Sequence, residues 1–123
     1  MRPTCFAVAL LGLVLAACSS APASQASIPP NAPKIEANNL AFTTTSVKVP
    51  AGAAFALVFE NKEGAPHNVN ILAEPSGGSS VFAGDTFTGP ATRVYQVPAL
   101  TPGTHQFKCD VHPDMTGTLV AGS

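Results

Sequence analysis

From residue 34 onward, apolar and polar side chains alternate with a period of two, and Pro, Gly and Asn break the alternation about every ten residues. Runs at 34–41, 46–49, 54–61, 68–73, 91–97, 104–109 and 116–121 are predicted strands. The separators are Pro50-Ala51-Gly52, Gly64-Ala65-Pro66, Ser76-Gly77-Gly78 and Pro102-Gly103, all turn formers. Residues 79–88 lack clean alternation and are expected to be loop with at most one short strand. No helix-length stretch keeps a 3.6-residue period. Short strands at this spacing predict an all-β, antiparallel sandwich, in which about ninety residues bury one small core between two sheets.

The first 33 residues follow a different pattern. Arg2 gives a positive start, residues 6–17 form a twelve-residue apolar run, and small residues close it, which is the layout of a secretory signal over residues 1–17. The run is shorter than the roughly twenty apolar residues a spanning helix needs. Leu15-Ala16-Ala17-Cys18 has the form of a bacterial lipobox, so Cys18 is the expected lipidation site. An ordinary signal with an incidental cysteine, or a short membrane anchor, is the competing reading. Residues 18–33 are rich in Ser, Ala and Pro and read as a flexible tether, with the folded domain at 34–123. Fifteen such residues span roughly 20 Å as a coil and up to about 45 Å in polyproline form.

Composition narrows the options further. A chain of 123 residues has room for one domain plus a short extra segment. Its formal charge of −1, without a basic run, gives no reason to expect nucleic acid as a partner. Without residues 1–17, which hold Arg2 and no acid, five basic residues face seven acidic ones, a charge of −2. Nucleophile elbows, phosphate loops and hydrolytic carboxylate pairs are all missing, so no enzyme chemistry is expected.

The cysteines carry the chemistry. Cys5 leaves with the signal and Cys18 is taken by lipid, which leaves Cys109 single in an oxidising compartment where thiols normally pair. An isolated Cys would default to a small buried hydrophobe, a lone His67 to a surface or core histidine, and Met115 to core filling. The joint pattern shifts that reading. Phe107-Lys108-Cys109-Asp110-Val111-His112-Pro113-Asp114-Met115, with Pro66-His67-Asn68 upstream, offers a thiolate, two imidazoles and a thioether to one ion. Soft sulfur with imidazole suits copper, whereas a single Cys with a Met argues against structural zinc. Position 113 is proline, so the second bridging cysteine of a dinuclear copper centre is missing. His105 lies too far along its strand to join the cluster and is expected at the core edge or in solvent.

A Pro-His-Asn turn after a strand, then Tyr-x-x-Pro, then Pro-Gly-Thr-x-x-Phe-x-Cys-x-x-His-x-x-Met resembles the cupredoxins, in particular the plastocyanin and amicyanin group, over residues 34–123. The two-residue gaps on both sides of His112 are similar to the short amicyanin-type ligand loop. The resemblance implies a Greek-key β-sandwich holding one type 1 copper ion on His67, Cys109, His112 and Met115. It also implies that Asn68 ties the two ligand loops together. The activity it implies is single-electron transfer by Cu(II)/Cu(I) cycling between a redox donor and acceptor, by a monomer outside the cytoplasm. His112 would pass the electron through an apolar patch that includes Ala65, Pro66 and Pro113, and Asp110 and Asp114 would favour a cationic partner or simply be solvated. An envelope protein that scavenges or delivers copper is the alternative function.

Overall fold

The computed structural model describes residues 27–122. The signal, Cys18 and most of the tether lie outside the described residues. Eleven strands form, and no helix occurs among the described residues. They are β1 (Lys34–Asn38), β2 (Ala41–Phe42), β3 (Ser46–Pro50), β4 (Phe55–Asn61), β5 (Pro66–His67), β6 (Asn70–Glu74), β7 (Gly77–Ala83), β8 (Phe87–Thr88), β9 (Ala91–Val97), β10 (Gly103–Lys108) and β11 (Thr116–Gly122).

Two sheets face each other as a sandwich, one in the order β2-β1-β4-β9 and the other β3-β11-β10-β6-β7, with the small β5-β8 pair beside them. Most neighbours are antiparallel, but β1 runs parallel to β4, and β3 parallel to β11. Crossing between the sheets makes these parallel pairs, which strand spacing along the sequence does not reveal. The alternation read from the sequence becomes burial: Phe55, Leu57, Phe59 and Asn61 of β4 point inward, as do Phe107 of β10 and Leu119 of β11. Edge-to-face contacts join Phe42 to Phe107, with centroids 4.9 Å apart, and Phe59 to Phe87 at 5.5 Å.

Two local features depart from the expected strand plan. The 34–41 run is two strands, because Asn39 and Leu40 turn the chain with φ of 60° and 57° and set Asn38 opposite Ala41. Neither is glycine, so the turn carries no compositional mark. Within 79–88, expected as loop, β7 is a full edge strand that begins at Gly77 and pairs with β6 through two register shifts. Its near-total exposure and those irregularities remove the alternation that would announce it.

The site end of the molecule is set by strand direction. β1 enters at Lys34, opposite Val58, and climbs parallel to β4 toward Asn38. Just before it, the Val58 N–H donates to the Pro33 carbonyl at 2.9 Å. Asn31 and Pro33 share a shallow groove with Pro50 and Gly122, the last residues of β3 and β11. The chain therefore joins the sandwich at the pole opposite the turn at Leu40.

Candidate metal centre

The C-terminal loop is closed by its own backbone. Cys109 follows β10, its N–H donates to the Met115 carbonyl at 3.0 Å, and the Met115 N–H donates to the His112 carbonyl at 2.9 Å. These bonds bring the ends of a seven-residue arc together, so Cys109, His112 and Met115 share one end of the sandwich. His67 comes from the second loop, where β5 pairs with β8 and sets His67 opposite Phe87.

The donor atoms of His67, Cys109 and His112 all lie within 4.8 Å of one another. Cys109 Sγ is 3.8 Å from His67 Nδ1 and 3.9 Å from His112 Nδ1, and the two ring nitrogens are 3.2 Å apart. With bonds of about 2.0–2.1 Å to nitrogen and about 2.3 Å to sulfur, a trigonal ion spaces its donors by about 3.5–3.8 Å, so the cluster fits one ion. Three electron-rich atoms facing each other at these distances repel unless a cation or protons lie among them. His67 and Cys109 are fully buried and Met115 is 3% exposed, while His112 is half-buried and so reaches the surface. Met115 packs into the core at this end.

Sequence reasoning missed the group that orients His67. Its Nε2–H donates to Glu63 Oε1 at 2.7 Å, which leaves the Nδ1 lone pair aimed at Cys109. The same carboxylate oxygen accepts the Leu40 N–H at 2.8 Å. That N–H, then His67, holds the Glu63 carboxyl below the usual carboxylate range. The left-handed turn of β1–β2 thus supports His67, a candidate ligand from the other loop. Glu63 is placed in turn by Asn61, which is fully buried. Asn61 Nδ2 donates to the carbonyls of Ala65 at 2.8 Å and Phe87 at 3.0 Å, and its Oδ1 accepts the Glu63 N–H at 3.1 Å. An acid four residues before the histidine was the one available signal.

Asn68, 2% exposed, bridges the loops. Its Oδ1 accepts the Asp110 N–H at 2.8 Å, and its Nδ2 donates to Asp110 Oδ2 at 2.8 Å and the Gly84 carbonyl at 3.1 Å. For Asp110, burial opposes ionisation, but the amides of Asn68 and Asn70 and the Lys108 ammonium outweigh it and lower its pKa. Asp114 is exposed. Pro66 and Pro113 are exposed and Ala65 is half-buried, and two apolar side chains that sequence reading did not single out, Leu40 and Val111, are exposed near them at 56% and 43%. His105 stands outside the cluster but is buried at 3%, not in solvent. Its Nδ1 lies 3.1 Å from the Leu72 carbonyl and its Nε2 2.9 Å from the Thr101 carbonyl, so the ring sits between β6 and the loop before β10 and donates its N–H to one of them.

Comparison with known proteins agrees with this geometry. Amicyanin-alpha of Methylorubrum extorquens is 31% identical over 125 aligned positions, covering 98% of both chains. Among solved structures, auracyanin from Roseiflexus castenholzii superposes with a TM-score of 0.62 at 19% identity, covering 73% of this chain and 95% of that one. Amicyanin from Paracoccus versutus gives 0.61 at 23%, covering 80% and 88%. The Cupredoxin-like domain family profile matches residues 7–121, and with the sandwich and the convergent loops this chain belongs to the cupredoxins.

Proposed function

We propose that this protein is a mononuclear type 1 copper electron carrier, with His67, Cys109, His112 and Met115 as ligands, anchored to the bacterial envelope through lipid on Cys18. The observation that carries the reading is the meeting of one thiol and two imidazoles from separate loops within 4.8 Å. Copper held there by His67, Cys109, His112 and Met115 would supply a one-electron Cu(II)/Cu(I) couple, whose potential the weakly binding Met115 thioether would tune. The residues around it supply the rest. Glu63 and Asn68 hold the ligand geometry before metal arrives, so little rearrangement accompanies a change of charge. Burial of His67 and Cys109 keeps water from the thiolate, while half-buried His112 is the one ring with an edge toward a donor or acceptor protein. That same burial favours a carrier over a delivery protein, which has to open its ligands for exchange.

In this reading residues 1–17 are removed, 18–33 tether the domain, and redox partners meet it outside the cytoplasm as a monomer. No helix among the described residues is long and apolar enough to cross a membrane. The test is optical: the copper(II) protein shows an intense visible sulfur-to-copper band that is absent from Cys109→Ser. A colourless wild-type copper adduct would sink the assignment.

A further inference from the structure

Asp110 follows Cys109 directly, and its carboxylate, though 41% exposed, reaches back to the amides of Asn68 and Asn70. Oδ2 accepts from Asn68 Nδ2 at 2.8 Å and Oδ1 from Asn70 Nδ2 at 2.9 Å, while the Asp110 N–H donates to Asn68 Oδ1 at 2.8 Å. Asn70 is held from the other side: Ser80 Oγ donates to its Oδ1 at 2.7 Å, so a flipped amide would set oxygen against the carboxylate. Lys108 Nζ stands 3.7 Å from Asp110 Oδ1. The chain of contacts runs from β7 through β6 into the loop that carries Cys109 and His112. A neutral side chain is enough to tie a loop in place. What it lacks is a net negative charge held at a fixed point beside the thiolate.

We propose that Asp110 is a positioning residue with two effects: it clamps the Cys109 loop to β6 and β7, and its fixed charge biases bound copper toward Cu(II). The second effect follows from Coulomb's law, since an anion stabilises the more positive oxidation state more. Solvent and Lys108 offset part of it, because Asp110 remains partly exposed. The proposal rests on the copper reading above.

The test uses the full chain. Asp110→Asn keeps the size, removes the charge and turns one acceptor into a donor facing an amide. The visible band should persist, the Cu(I) to Cu(II) ratio at fixed potential should rise about tenfold, which is 59 mV for a one-electron couple, and the metal-free protein should melt lower. Lys108→Gln should shift the ratio the opposite way. Asn70→Ala, which removes one arm of the clamp but keeps the charge, should melt lower without metal and leave the ratio within about twofold of wild type. A ratio that changes less than twofold in Asp110→Asn, or moves toward Cu(II), overturns the proposal. If Asp110→Asn does not fold, Asp110→Ser, which is neutral and sets no amide against an amide, decides by the same sign of the ratio. A wild-type protein without the band sinks the copper reading and this inference with it, whereas a normal band with an unmoved ratio sinks this inference alone.

Discussion

Asn61 shows how a residue without metal chemistry holds the site. Replacing it by alanine removes three hydrogen bonds, to the Ala65 and Phe87 carbonyls and from the Glu63 N–H, at a position with no solvent exposure. Each bond contributes a net of about 1 kcal/mol, and a buried partner left unpaired adds about 1–3 kcal/mol. The total of about 4–6 kcal/mol is a large share of the roughly 5–15 kcal/mol that holds such a domain together. At about 4–8 °C per kcal/mol, Asn61→Ala should melt about 16 °C or more below wild type by calorimetry. Because the 62–66 loop carries Glu63 up to His67, copper(II) affinity measured by chelator competition should also fall, by about 10–100-fold. Asn61→Asp is the sharper variant. It keeps the shape and the acceptor for Glu63, yet sets a carboxylate oxygen against two carbonyls in a dry pocket, so it should be at least as damaging as alanine. An Asn61→Asp protein that melts with wild type would refute the reasoning.

Three further outcomes are expected. Gly117→Ala puts a Cβ into the Phe107 ring, which cannot retreat because Phe42 packs against it, so stability should drop by about 1–3 kcal/mol in urea denaturation; an unchanged midpoint would show that the ring relaxes freely. Glu36 is held down to about 2 by Lys34 at 2.7 Å and Lys62 at 3.0 Å, so its stabilising contribution is complete above about pH 4.5 and fades as pH falls toward 2. The melting gap between wild type and Glu36→Gln should therefore close between pH 5 and pH 2, and a constant gap contradicts the ion-pair account. Cys18→Ala should release the protein from membranes into the soluble fraction; continued membrane fractionation would argue against lipid attachment.

The alternation of β4, β10 and β11 was plain in the sequence because each buries one face, and burial is what selects the pattern. β7 was hidden because an exposed, bulged edge strand has no face to protect. The turn at Asn39 and Leu40 was hidden because the usual glycine is missing, and its geometry is held instead by a distant carboxylate. At the site, Cys109, His112, Met115 and His67 stood out by donor type and spacing. Asn61, Glu63 and Asn70 did not, since they act through hydrogen bonds whose partners lie in other loops, and Asn or Glu in a turn has many ordinary reasons to be there.

Strand β1 starts at Lys34 and climbs toward Leu40, whose N–H meets the carboxylate behind His67. Whatever precedes the first strand is thus attached at the foot of the molecule, while His112 opens at its crown. A bilayer, a fused protein or an affinity handle secured at that foot leaves the exposed edge of His112 clear, and a resin coupled there would display the domain upright to an incoming partner.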